Sequence, residues 1–451
     1  MGWWLDKDLT LQEHTERLCR LLVAAAARVV AMGGRPGALP ARTTFLLWSS
    51  LALSHVHGGA ALLSQPQVER LQKKMRAAVR QLAGRRSEPA AVLADMGIPD
   101  ALTIARMRTA GLIMRLRTLP ADLAPASLHR FILDLPKEAR STSFEVDMVR
   151  SLEDLRMMDM IRATVVAPTT LLAPPREQDC GIGTVRVRWS REIKRRAWAL
   201  HCEAIIAGKP PFNSDKIRRY VELARRDIQR KEPYRCAAYL KLELSSKQES
   251  ALLQLRSGGS LLAVDAADDG APLGADHRCS ACVEYLGAPD TALEDHYHAL
   301  FDCCKPPLKN RREQWAREMQ TVLHRGRVWA QATAGGTAAT RLRWLELDAS
   351  LCVQIALGVV VPENWMTGSH VIHLHPQRKA GREDLHAELV STAAPYLVDL
   401  CKGLRDYQLR LLQGLEDGDP DFEALFLLLD EAADMSEHNP EEEEEEEEEE
   451  S

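Results

Sequence analysis

Apolar residues recur at three- and four-residue spacing along most of this chain, which predicts a mainly α-helical protein. Leu9 to Met32 reads as a helix with Thr10 as its N-cap, stopped by Gly33-Gly34. A second helix is predicted from Thr43 to Leu63, closing before Pro66. The third, Gln67 to Ala83, sorts its residues by face. Val68, Leu71, Met75, Val79 and Leu82 take one side, and Arg70, Lys73, Lys74, Arg76 and Arg80 take the other. Ala90–Met96 and Leu102–Arg117 follow, split by Gly97-Ile98-Pro99. Further on, Arg311–Arg325 and Arg341–Gly358 read as helices, and Ser391–Leu415 as a long one with Pro395 in its first turn. Leu425–Leu429 is the last apolar cluster. Val371-Ile372-His373-Leu374 departs from the helical period and reads as a strand or loop. The best linker candidate is Ala163–Gly183, which carries Pro168, Pro174 and Pro175.

Composition places 451 residues, 45% of them hydrophobic and 27% charged, among ordinary globular proteins of two or three domains. No apolar run reaches bilayer length; Leu21–Met32 is too short and is interrupted by Arg28. The opening residues lack a basic stretch followed by an apolar one, so no secretory signal is expected and the protein is read as intracellular, with no membrane partner. Ten cysteines in that setting argue for reduced thiols or a metal rather than a disulfide framework. Cys19, Cys180, Cys202, Cys236, Cys352 and Cys401 are scattered singly, as small core hydrophobes would be.

The net charge of −6 conceals two opposed regions. Glu441–Glu450 is an unbroken run of ten glutamates, and without it the chain carries +4. Such a run repels itself and buries no apolar surface, so residues 435–451 are expected to be a disordered acidic tail. Residues 185–231 are the most basic window, with fourteen cations against five acids. Trp189, Trp198, Phe212 and Tyr220 are interleaved with those cations, and Tyr234 follows. The charges point to nucleic acid, and the aromatics read as core anchors more readily than as stacking platforms.

One cluster carries specific chemistry. Cys279 and Cys282 form a C-x2-C pair, and after fifteen residues His298 and Cys303 form H-x4-C. Zinc takes four N or S ligands in a tetrahedron, and this spacing supplies them from two short turns. His296 and Cys304 can substitute for His298 and Cys303 on spacing alone. His370, His373, His375 and His386 form a looser group that reads better as strand or loop positions. Gly181-Ile182-Gly183 is followed by Val185-Arg186-Val187 rather than by a helix start, so no phosphate-binding glycine loop is expected.

The order of motifs resembles the C-terminal part of non-LTR retrotransposon reverse transcriptases. Gly2-Trp3-Trp4-Leu5-Asp6 is similar to the strand that ends the palm. The run Leu51–Ala60, the basic helix Leu71–Gly84 and the phrase from Ala90 to Pro99 are similar to the thumb, with His57 where the family has an aromatic. Leu252–Gly258 resembles the "Leu-Arg-x-Gly" helix end that precedes the cysteine pair, and Glu294-x3-His298-x4-Cys303 resembles the block that closes the site. Together these cover roughly residues 1–120 and 215–320.

The resemblance selects Cys279, Cys282, His298 and Cys303 as ligands of a structural zinc, with His296 and Cys304 as spares. Together with the helical pattern and the composition, it divides the chain into six segments: a palm remnant and thumb-like helical domain over 1–130, a linker over 131–183, a basic helical connector over 184–260, a CCHC zinc-knuckle segment over 261–320, a C-terminal helical region over 321–434, and the tail over 435–451. Its partners would be RNA or DNA, bound with little sequence preference. The contacts would come from Arg70, Lys73, Lys74, Arg76 and Arg80 on the thumb helix and from Arg195, Arg196, Arg218 and Arg219 in the connector. Lys305, Lys309, Arg311 and Arg312 would act near the knuckle. The family's catalytic aspartates, which hold Mg2+, stand in a turn upstream of Gly2; Ala266-Ala267-Asp268-Asp269 lacks its aromatic and reads as a surface loop. No polymerisation is expected from this chain unless a palm-containing polypeptide supplies the Mg2+ site.

Overall fold

A computed structural model describes residues 11–117, 153–157, 182–229, 233–260, 262, 279, 282, 295–303, 306–326, 328–332, 339–341, 343–344, 347–359, 364–367, 370–374 and 379–413. The protein is mainly helical, as the apolar periodicity predicts. The strand like the end of a palm, the proline-rich linker, Leu425–Leu429 and the glutamate run lie outside the described residues.

Helix α1 (Gln12–Ala31) packs along α4 (Gln65–Ala83), the amphipathic basic helix. The start of α1 differs from expectation: Leu11, at a left-handed φ of 59°, precedes the first turn, and Thr10 lies outside the described residues. Thr15 steadies the turn by donating its hydroxyl to the Leu11 carbonyl at 2.9 Å. The second predicted helix is a composite of α2 (Ala41–Trp48), a wide i→i+5 turn over Ser49–Leu53, and α3 (Ser54–Gly59). Serine hydroxyls compete for the carbonyl ladder at the wide turn: Ser50 donates to Leu47 at 2.8 Å and Ser54 to Ser50 at 3.2 Å. A capping box sets the start of α4, where Ser64 N donates to Gln67 Oε1 at 2.9 Å.

Helices α5 (Pro89–Met96) and α6 (Ala101–Arg117) follow, and Asp100 caps α6 by accepting the Thr103 amide at 2.8 Å. Helix α7 (Ile182–Ile206) begins within Gly181-Ile182-Gly183, where no helix start is expected. Two β-branched residues lower helix propensity only slightly, and the buried Ile193, Ala197 and Trp198 further along the helix carry it through them. Helices α8 (Asp215–Ile228) and α9 (Ser246–Ser257) complete the basic connector.

The C-terminal region is not wholly helical. Helix α10 (Pro306–Arg325) leads into β1 (Val328–Ala332) and β2 (Ala339–Arg341), and α11 (Ala349–Ala356) precedes β3 (Asn364–Thr367) and β4 (His370–Leu374). The four strands form an antiparallel sheet in the order β2-β1-β4-β3, with Ala330 opposite Ile372 and Trp365 opposite Ile372 on the other edge. The Arg341–Gly358 helix is therefore shorter than predicted, and the 371–374 stretch is a strand. Trp329, Trp365, Val371 and Ile372 are residues that favour a pleated surface. The final helix, α12 (Lys379–Gln413), starts twelve residues earlier than expected and runs through Pro395. Interior proline costs about 3 kcal/mol, and the flanking Ala393, Ala394, Tyr396 and Leu397 are all buried, which offsets it.

One buried cluster runs from Leu18 in α1 to Leu404 in α12, so the thumb-like helices and the C-terminal helices share a core. Trp198, Phe212 and Tyr220 lie in a second core with Ala90, Ala91 and Ala94, as anchors of α5, α7 and α8. Trp189 packs half-buried against the main core, and Tyr234 is 48% exposed. Cys19, Cys202 and Cys352 are buried, and Cys236 and Cys401 partly so, all with free thiols; Cys180 lies outside the described residues. Burial pushes the Cys352 and Cys401 thiols up to about 12, which makes them inert packing groups.

Two contacts lock the connector onto the thumb-like helices. Arg256 near the end of α9 is fully buried and donates Nε to Asp95 Oδ2 at 2.7 Å and Nη2 to Asp95 Oδ1 at 2.8 Å. It also reaches Asp227 Oδ2 at 2.7 Å and the Leu357 carbonyl at 2.8 Å. Gly97, at a φ of +71°, closes α5 where a Cβ would stand 2.5 Å from the Arg235 carbonyl oxygen. Tyr234 N donates to Gly97 O there at 2.7 Å.

Candidate metal centre and basic surfaces

The four cysteine and histidine side chains singled out by spacing converge. Cys279, Cys282, His298 and Cys303 are all buried, with ligand atoms within 4.8 Å of one another. Cys279 Sγ lies 3.8 Å from Cys303 Sγ, and Cys282 Sγ lies 3.3 Å from His298 Nε2. A disulfide needs its sulfurs about 2.05 Å apart, so the pair is not cross-linked. Three thiols and an imidazole facing one small buried volume are a donor set that can hold a metal ion.

The backbone around His298 explains its aim. His298–Asp302 forms a wide i→i+5 turn, and Cys303 N donates to His298 O across it at 2.7 Å. Asp295 Oδ1 accepts the His298 amide at 2.8 Å, capping this turn from its N-terminal side. Arg312 on α10 donates to the carbonyls of Phe301 and Cys303, tying the loop to the helix. The ring of Phe301 lies 5.7 Å from Trp315, which stacks on Tyr396 of α12 at 4.6 Å and 9°. Burial is the main force holding the Tyr396 hydroxyl near 12, and it donates to Leu300 O at 3.3 Å.

His296 faces elsewhere. Its Nε2 donates to the Leu255 carbonyl on α9 at 2.7 Å, two residues from His298 and outside the cluster. Its role is a staple between knuckle and connector, which the sequence did not reveal. Cys304 and Lys305 lie outside the described residues, as do Asp268-Asp269 and His375. His370 and His373 belong to strand β4.

The predicted basic contacts divide into two groups. On α4, Arg70, Lys73, Lys74 and Arg80 are exposed, with Arg70 beside Glu16 at 3.2 Å, and Arg76 is partly buried against the Pro211 carbonyl at 3.2 Å. In the second group most side chains already have partners, some at the surface and some partly buried. Glu192 takes both Arg195 and Arg196, at 2.7 and 2.6 Å, and these two cations hold its carboxyl down near 2. Arg196 also donates to the Arg156 carbonyl, and Arg218 pairs with Asp215. Arg311 pairs with Asp399 at 2.9 Å, and Arg312 is spent on the knuckle carbonyls. Arg219 is half-buried on α8, and Lys309 is exposed at the start of α10.

No family model matches the chain, and no curated protein or solved structure is similar to it at a significant level. Among the described residues no helix is long and apolar enough to cross a membrane.

Proposed function

We propose that this chain is the nucleic-acid-binding thumb and zinc-knuckle region of a non-LTR retrotransposon reverse transcriptase. The observation that supports it is the meeting of separated blocks. Arg256 of the Leu-Arg-x-Gly block pairs with Asp95 of the Ala90–Pro99 block, and His296 of the closing block bonds to Leu255 beside Arg256. Segments that resemble one family in order along the chain also support one another in space.

Zinc is the metal the donor set favours. Zn–S bonds of about 2.3 Å at tetrahedral angles place two sulfurs about 3.8 Å apart, the separation of Cys279 and Cys303. Four protein ligands leave no position for a water, so the metal stabilises the loop rather than performing chemistry. Nucleic acid is held through phosphates by the exposed cations of α4, with little sequence preference. No reaction is assigned to these residues; Mg2+ enters only with a palm-containing partner.

Filter binding of RNA and DNA at about 50 and 200 mM salt tests the reading. Four phosphate contacts predict roughly a hundredfold loss of affinity between the two. Absence of binding at the lower salt would overturn it. The engagement of Arg196, Arg311 and Arg312, all partly buried, with groups of the fold favours a second reading, a zinc-stabilised scaffold for protein contacts. That reading predicts bound zinc without nucleic-acid affinity, and metal analysis beside the same titration separates the two.

A further inference from the structure

A cleft of 510 Å3 opens between α3, α6 and α7, and no residue of α4 or of the cysteine–histidine cluster is in its described lining. Its wall carries Arg108, Arg115 and Lys194, and no acidic side chain among the described residues. Arg108 and Lys194 are exposed at its rim. His57 lies between the cations, and its protonation follows from its neighbours. Arg108 Nε donates to His57 Nδ1 at 3.2 Å, so that nitrogen carries the lone pair. Burial, then Arg108 and Lys194, lower His57 to about 4, so the ring is neutral and its proton sits on Nε2. That proton is donated to Tyr234 Oη at 3.1 Å. The Tyr234 hydroxyl hydrogen is thereby left for an acceptor from the cleft.

Tyr234 is held in place at a cost. Its φ is +65°, unusual for a bulky residue, and its amide is fixed to Gly97 O at 2.7 Å. The residue remains 48% exposed, with Lys194 Nζ 5.8 Å from the ring centroid. Trp189 also lines the cleft, with Ser190 beside it. A cavity whose described lining offers cations without acids, an oriented hydroxyl donor and two aromatic rings matches an anion attached to a flat ring system. Its volume falls in the range of small-ligand sites.

We propose that this cleft binds the phosphate of a nucleotide, with Arg108, Lys194 and the Tyr234 hydroxyl on the phosphate and the Tyr234 and Trp189 rings available to the base. The nucleotide is either free or part of a strand. Only the strand source rests on the nucleic-acid reading above.

Equilibrium dialysis of the full chain at low salt against labelled adenosine monophosphate tests the site, with two competitors. One is inorganic phosphate, and the other is a single strand of about six nucleotides without terminal phosphates. Saturable binding displaced by phosphate is expected. Arg108→Ala and Lys194→Ala should each weaken it about tenfold, the value of one charge-assisted contact, and Tyr234→Phe somewhat less. Lys73→Ala with Lys74→Ala should leave it unchanged. Competition by the strand identifies a strand as the source, and its absence identifies free nucleotide. Both rim cations are exposed, and retained melting temperatures would verify folding. No saturable binding of the nucleotide, or binding indifferent to both cation variants, overturns the proposal. Loss of long nucleic-acid binding with nucleotide binding retained would refute the wider reading and leave the cleft standing.

Discussion

Arg256 and Asp95, 161 residues apart in sequence, form a two-pronged ion pair in which both side chains are almost wholly shielded from water. Tyr220 and Tyr239 donate to the same carboxylate at 2.8 and 3.1 Å, and the Arg256 guanidinium lies 5.0 Å from the Tyr239 ring centroid. Asp95 and Asp227 hold the guanidinium's proton more firmly than usual despite its burial, and burial pushes the Tyr239 hydroxyl well up.

Removing one partner of such a pair leaves the others charged and dry. Arg256→Met is expected to destabilise the protein by about 3–5 kcal/mol, since both Asp95 and Asp227 lose their cation. Arg256→Lys should fall only slightly short of that, because one ammonium cannot reproduce the fork. Adding Asp95→Asn to Arg256→Met should cost less than the sum of the single changes. Urea unfolding midpoints of these variants, with Asp95→Asn alone completing the cycle, check the coupling.

Gly97 supports the same junction through its backbone. Gly97→Ala must place a Cβ 2.5 Å from the Arg235 carbonyl oxygen at a φ of +71°. The strain and the clash together predict a loss of about 2 kcal/mol or more. Gly58→Ala is the control, since nothing stands within 4 Å of its Cβ and α3 favours alanine. Thermal unfolding should show a clear drop for the first and none for the second.

The metal centre gives a sharper discrimination. Cys279→Ser, Cys282→Ser, His298→Ala and Cys303→Ser should each lower bound zinc from about one ion per chain and expose the 295–303 loop to proteolysis. His296→Ala should retain the ion, because its ring is engaged with Leu255 O. It should lose about 1 kcal/mol of stability instead. Metal content by elemental analysis, paired with melting temperature, separates a ligand from a staple.

The convergence of Cys279, Cys282, His298 and Cys303 was legible because the spacing that suits a metal site is tightly constrained, and the helices of the first hundred residues were legible because their apolar stripes are regular. The sheet was not. Its strands are three to five residues long, too short for periodicity to register, and only Val371–Leu374 betrayed itself. The start of α12 was missed because Pro395 reads locally as a first-turn residue, whereas core packing carries the helix through it. The basic residues misled in another way. Composition counts Arg312 and Arg196 as surface charge, but their geometry gives them to carbonyls and to Glu192. Sequence cannot show which partner a cation has already taken.

His57 makes stability depend on pH. Burial lowers it from 6.5 to about 4 in the folded state, with Arg108 and Lys194 adding to the effect. An unfolded chain takes up the proton near 6.5 and the folded chain does not, so protonation favours unfolding. The contribution is complete above about pH 6.5 and is lost as pH falls toward 4, amounting to about 1–2 kcal/mol by pH 5 after allowance for solvent. Burial lowers His201 and His386 in the same direction. Denaturant midpoints at pH 7 and pH 5 should differ in wild type, and His57→Gln should narrow the gap. An equal gap in both would exclude the histidine as the cause.

Two classes of arginine and lysine should separate in a salt titration. Each phosphate contact contributes a slope of about 0.7–0.9 in log affinity against log salt. Lys73, Lys74 and Arg80 stand exposed on one helix whose opposite side is core. Replacing all three with alanine should therefore lower the slope by about 2–3, with the unfolding midpoint nearly unchanged. Arg312→Ala acts on a different link. It releases the carbonyls of Phe301 and Cys303, so it should reduce stability and zinc retention while changing the slope by less than one contact. Should Arg312→Ala instead flatten the slope and spare the fold, its bonds to the knuckle would be incidental, and the nucleic-acid surface would have to extend from α4 to α10.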